Sequence, residues 1–170
     1  MDAPAQLSSF RCEPIAGNVI TDPDAIEPRR TSSYPARYQI PPGKRGRRSL
    51  GDAFGLMNFG VNLTVLEPGG WSAQRHWHLK QDELIYVLDG ELTLITDDGE
   101  TVLTAGMTAG FKAGVANGHH LINRSDRPAR YLEIGDRTDG EVVTYTDIDM
   151  VMRESADGTR RFFDKRDRPY

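Results

Sequence analysis

The chain has 170 residues, enough for one domain with a real hydrophobic core. With 38% hydrophobic residues, 27% charged residues and a net charge of −4, its composition is that of an ordinary globular protein. That balance excludes a globally basic nucleic-acid binder, and no apolar run approaches the ~18 residues of a membrane span.

Cys12 is the only cysteine, so no intrachain disulfide can form, which fits a reducing compartment. The opening residues lack a basic stretch followed by an apolar one, so a cytoplasmic protein without a secretory signal is expected. Residues 1 to about 55 are rich in proline and charge and are expected to form an arm or loop region packed on the rest. Within them, Lys44, Arg45, Arg47 and Arg48 form the one strongly basic run, expected as a solvated loop. A sharper reading makes that run a lid that binds a phosphate or carboxylate.

From residue 56 to 136 the pattern changes to short apolar runs broken by Gly- and Asp-containing turns. VNLTVL, WSAQRHWH, ELIYVL, ELTLIT, GHHLIN and ARYLEI read as strands, and Asp89-Gly90 and Asp97-Asp98-Gly99 read as tight links between them. Many short strands at this spacing predict an all-β antiparallel sandwich or barrel. Residues 137–170 are expected as a charged C-terminal extension, with a turn at Ala156-Asp157-Gly158 and a short helix near Asp147.

All four histidines fall in two of these runs. A strand alternates faces, so Ser72, Gln74, His76 and His78 share one side, with Trp71, Ala73, Arg75 and Trp77 on the other. Glu83 follows a polar turn and aligns with Ile85 and Val87 on the next strand. Two strands joined by that turn bring two imidazoles and a carboxylate to one point, a donor set that suits Fe, Mn, Zn, Ni or Co. His119 and His120 lie on opposite faces of a regular strand, so only one of them can join the cluster.

At these residues the chain resembles the cupins. The first cupin motif, a glycine, an H-x-H pair, a glutamate and a second glycine at fixed spacing, is matched in full by Gly70, His76, His78, Glu83 and Gly90. Gly106, Gly114, His119 and Asn123 resemble the second motif. There, Lys112 replaces a usual proline, and four residues rather than two separate Gly114 from His119. The resemblance implies a double-stranded β-helix (jelly-roll) barrel and one divalent metal ion held by His76, His78, Glu83 and His119. It also favours a homodimer, and Trp71 and Trp77, expected to project outward, are the apolar groups that such a contact would cover.

Around the cluster, Gln74 is a candidate for binding substrate or a metal-bound water, His120 for a proton shuttle, and Glu83 for proton transfer as well as ligation. Asn123 reads as a turn-stabilising group. The function expected is a metal-dependent enzyme acting on a small polar or anionic metabolite, similar to the sugar-phosphate isomerase-like cupins. A metal-dependent oxygenase and a non-enzymatic small-molecule sensor are the alternatives.

Overall fold

The computed structural model describes residues 20–170; Cys12 and the first part of the expected arm lie outside the described residues. Among the described residues, twelve strands form three antiparallel sheets. The first sheet has the order β1-β2-β9-β4-β7, comprising β1 (Arg45–Ser49), β2 (Phe59–Leu66), β9 (Ala129–Asp136), β4 (Glu83–Asp89) and β7 (Thr108–Phe111). The second has the order β6-β5-β8, from β6 (Gly99–Thr104), β5 (Glu91–Thr96) and β8 (His120–Ile122). The third has the order β12-β11-β10-β3, from β12 (Arg160–Phe163), β11 (Met150–Glu154), β10 (Val142–Tyr145) and β3 (His76–His78). A four-residue helix, α1 (Leu50–Ala53), links β1 to β2. This is the all-β jelly roll that the alternating apolar runs and the cupin-like motifs predict.

The inward face of the five-stranded sheet changes character along its strands. At one end Leu66, Val87, Ala129 and Tyr131 pack with Leu92, Leu94, Leu103 and Leu121 of the three-stranded sheet into the main core. At the other end the same parity delivers Arg47, Asn62, Glu133 and Glu83. Pairing of Arg47 with Thr64, Asn62 with Glu133 and Glu133 with Ile85 keeps these groups on the face of buried Ile85. One strand set therefore supplies an apolar face at one end and a polar face at the other.

A second core forms from Val143, Tyr145, Met150, Met152 and Phe162 of the third sheet. Residues before β1 close it: the Tyr34 ring meets Tyr145 and Phe162 edge-on. Residues 137–170 thus contribute β10, β11 and β12, and β10 pairs directly with the histidine strand β3. Thr146–Asp149 form a turn, not the short helix expected there.

The basic run is neither a solvated loop nor a lid. Residues 45–49 form β1, and the fold uses each cation. Arg45 donates to the carbonyls of Ser72 and Thr31, Arg47 to the Glu133 carboxylate, Arg48 to Ile26 O and Lys44 to Pro68 O. Long guanidinium side chains can lie inward on a strand when carbonyls and a carboxylate meet them, so a charge run alone does not mark a loop.

Gly90, at the link between β4 and β5, has φ of 79°, and a Cβ there would stand 2.8 Å from Ala129 Cα. Only glycine lets the two strands turn this tightly against β9.

Candidate metal centre

The stretch expected as a single strand from Trp71 to His78 is a series of bends at 72–75 followed by the short β3. Arg75 anchors the bend by donating to Asp147 at 2.9 and 2.6 Å, and it also pairs with Asp97. Beyond it, His76 and His119 exchange backbone hydrogen bonds at 3.2 and 2.8 Å, joining the two histidine segments without a longer ladder. β4 brings Glu83 to the same point from the five-stranded sheet.

The donor atoms converge. His76 Nε2 lies 3.2 Å from His78 Nε2, and Glu83 Oε2 lies 3.4 Å from His78 Nε2 and 3.3 Å from His119 Nε2. Ligand atoms of His76, Glu83 and His119 all fall within 4.8 Å of one another. Donors held about 2.1 Å from a common ion stand roughly 3.0 Å apart at right angles and about 3.4 Å apart at tetrahedral angles. The spacings match that range, so the residues fit a divalent cation.

Second contacts orient the rings. His76 Nδ1–H donates to Gln74 O at 2.8 Å, and His119 Nδ1–H to Asn117 O at 3.3 Å. A carbonyl has no proton to give, so each Nδ1 carries the hydrogen, which leaves Nε2 as the nitrogen aimed at the cluster. Phe111 stacks flat on His119, with centroids 3.6 Å apart and planes 4° apart. His78 Nδ1 is buried with no hydrogen-bond partner and faces Glu141 Oε2 at 3.9 Å. Glu141 is itself fully buried and accepts from the backbone N–H groups of Leu79, Lys80 and Val142 at 2.9, 3.2 and 2.7 Å.

Electrostatics favours the ligating protonation states of His76 and Glu83. Burial, followed by the neighbouring His78, pushes the His76 imidazole down to about 3, leaving it neutral. Burial alone would raise the Glu83 carboxyl, but hydrogen bonds from His119 and His78 and the nearby imidazoles outweigh it. Glu83 is therefore held well below the usual carboxylate range. For His78 burial acts downward, yet the carboxylates of Glu83 and Glu141 prevail and raise it.

The remaining candidates sit apart from these donor atoms. The Gln74 side chain turns toward the N-terminal segment and donates to Tyr38 O at 2.9 Å, while its backbone carbonyl serves His76. His120 lies on the other side of its strand, with Nδ1 donating to Ala73 O at 3.0 Å. Asn123 is buried and closes its turn through Leu66 O, Arg127 O and the Ser125 N–H. The tryptophans are half-buried and not fully projecting: Trp71 lies beside the His120 ring, and Trp77 lines a cleft. That cleft, of about 220 Å³, opens beside the cluster and is also bordered by His78, Phe111, Lys112, Asn117 and His119.

Sequence reasoning missed Glu141 and Glu133. A signal existed for Glu133, which shares strand parity with Ala129 and Tyr131 in ARYLEI and so had to face inward.

Comparison with known proteins agrees with this geometry. A cupin-domain family profile matches residues 62–135. A sugar phosphate isomerase of the cupin superfamily from Silicibacter pomeroyi is 44% identical, with a TM-score of 0.83, covering 88% of this chain and 94% of its own. The chain belongs to the cupin superfamily. A second cupin-like structure, assigned as a sugar phosphate isomerase from Acidithiobacillus ferrooxidans, is 32% identical with a TM-score of 0.67, covering 74% of this chain and 80% of its own. The polyketide cyclase RemF from Streptomyces resistomycificus shares the fold at 17% identity and a TM-score of 0.57, covering 69% of this cupin and 78% of its own chain. No curated protein matches the chain.

Proposed function

We propose that this cupin holds one divalent metal ion on His76, His78, Glu83 and His119 and acts as an isomerase on a small sugar-phosphate-like metabolite. Two observations carry the reading: the ligand atoms of His76, Glu83 and His119 lie within 4.8 Å of one another, and His78 Nε2 stands 3.2 Å from His76 Nε2 and 3.4 Å from Glu83 Oε2. Likeness to two proteins described as sugar phosphate isomerases supports the substrate class.

A bound divalent cation supplies Lewis acidity, which polarises a substrate carbonyl and acidifies the neighbouring C–H. The chain's own residues prepare that chemistry. Gln74 O and Asn117 O fix two imidazoles in the ligating tautomer, and the Glu141 carboxylate faces the third. The Phe111 ring shields one face of His119, and Glu83 is ionised at neutral pH. Glu83 is therefore present as the carboxylate that a ligand role requires.

Plasma mass spectrometry on wild type and His78→Ala, paired with NMR of aldose–ketose interconversion in a sugar-phosphate panel, tests this. About one metal equivalent and turnover are expected in wild type, both falling sharply in the variant. An absence of bound metal after reconstitution would overturn the assignment.

The homodimer belongs to the same proposal, on a different surface from the tryptophans. Leu84, Tyr86 and Leu88 all point outward from β4 and are each more than 40% exposed, a row of apolar side chains suited to a second copy.

A further inference from the structure

Below and beside the histidine cluster, the inward face of β1, β2 and β9 carries polar groups that the metal reading leaves unused. Arg47 Nη2 spans both oxygens of Glu133 at 2.6 and 2.7 Å, and Asn62 Nδ2 donates to Glu133 Oε1 at 3.4 Å. One layer deeper, Thr64 pairs across the ladder with Arg47 on one side and Tyr131 on the other. Thr64 Oγ1, Tyr131 Oη and Arg47 Nε are buried without a hydrogen-bond partner, and Thr64 and Tyr131 are themselves completely buried. Barrel walls rarely leave several such donors unmet, because each unpaired buried polar group is destabilising. The Arg47 and Glu133 side chains remain 21% and 16% accessible, so this row is not sealed in the core.

This layer faces the metal cluster. Glu133 pairs with Ile85, two residues along β4 from Glu83 on the same face, which puts the two carboxylates in diagonal register. The charges of Glu133 and Glu83 both act on Arg47, and Glu133 also acts on His78.

We propose that Arg47, Asn62 and Glu133, with the hydroxyls of Thr64 and Tyr131 behind them, form a wall that reads the hydroxyl groups of a polyhydroxylated ligand. The chemistry selects that class. A wall made of one cation, one anion and neutral donors has no net charge, and Glu133 would repel a phosphate or carboxylate placed against it. A hydroxyl both donates and accepts, so it can give its proton to Glu133 while receiving from Arg47 or Asn62. An oxyanionic or carbonyl end then lies toward the cluster, with the hydroxylated carbons along this wall. The inference rests on the isomerase reading for the ligand's orientation but concerns different residues.

The test uses the full chain reconstituted with manganese(II), with metal content measured on every sample. Calorimetric titration compares D-ribose 5-phosphate with glycolaldehyde phosphate, which keeps the phosphate and carbonyl but lacks the hydroxylated carbons. Wild type should prefer the five-carbon probe on the order of tenfold or more, as a site built to meet hydroxyls rejects a ligand lacking them. Glu133→Gln should shrink that preference to a few-fold while leaving glycolaldehyde phosphate binding and metal content unchanged. Arg47→Met combined with Glu133→Leu removes both charges together, leaves neither unpaired, and should do the same in a folded protein. A wild type without the preference, or variants that retain it in full with metal bound, overturns the wall. Loss of the metal reading instead appears as absent manganese in wild type, whatever the variants do.

Discussion

Glu141→Ala is the sharpest probe of how the chain holds its histidines. The carboxylate is fully buried, and one of its oxygens alone receives Leu79 N–H at 2.9 Å, Val142 N–H at 2.7 Å and Lys80 N–H at 3.2 Å. A hydrogen bond to a charged acceptor contributes about 1.5–3 kcal/mol. Leu79 and Lys80 lie at the surface, where water can partly replace the lost acceptor, so the sum falls below three full bonds. An overall destabilisation of about 3–5 kcal/mol follows, the range seen when a buried charge network loses a member. Urea unfolding in the presence of a chelator isolates the effect from metal binding. With a slope near 2 kcal/mol/M, the midpoint should fall by roughly 1.5–2.5 M. Metal affinity, measured separately by competition with a chromophoric chelator, should weaken about 10- to 100-fold, because His78 loses the carboxylate behind its Nδ1. A midpoint shift equivalent to less than about 1 kcal/mol would refute the reasoning, since it would mean that the three N–H groups do not depend on this carboxylate.

Two further outcomes are expected. His76 is depressed to about 3 in the folded chain against 6.5 when unfolded, so between those values the unfolded state binds the extra proton and acid weakens the fold. Metal-free wild type should therefore lose stability as pH falls below about 6.5, by up to about 1.4 kcal/mol per pH unit, and His76→Asn should flatten the slope. His78, raised in the fold, opposes this with stability that fades as pH rises through its folded value, and an unchanged slope in His76→Asn would contradict the assignment. Gly90→Ala combines a φ of 79° with a Cβ 2.8 Å from Ala129 Cα and 2.9 Å from Pro128 O. Backbone strain and overpacking together should destabilise the fold by about 2–5 kcal/mol in thermal or urea unfolding, and a loss under about 1 kcal/mol would show that the turn relaxes.

Much of the site was legible because it rests on parity. His76 and His78 share a face by alternation, Glu83 aligns with Ile85 and Val87, and His119 and His120 must separate; the structure places all five accordingly. The bends at 72–75 were not legible, because WSAQRHWH alternates like a strand and its geometry is set by Arg75 reaching the distant Asp97 and Asp147. β1 was hidden for a similar reason. Its arginines look like surface until Ser72 O, Thr31 O and Glu133 are seen to meet them. Glu141 gave no local sign of this role, since Leu79 and Lys80, two of its three N–H partners, lie about sixty residues earlier in the chain.

The donor set has one further property, which is where its members come from. His76 and His78 belong to the four-stranded sheet, Glu83 to the five-stranded sheet, and His119 adjoins the strand that completes the three-stranded one. An ion at their meeting point would rivet three layers that otherwise adhere through side-chain packing and a few backbone bridges such as His76–His119. At a free metal concentration 100 times its dissociation constant, the folded state would gain about 2.7 kcal/mol. That is roughly a hundredfold fewer chains open at any instant to proteolysis. Metal supply would then govern how long each molecule survives in the cell as well as whether it can turn over substrate.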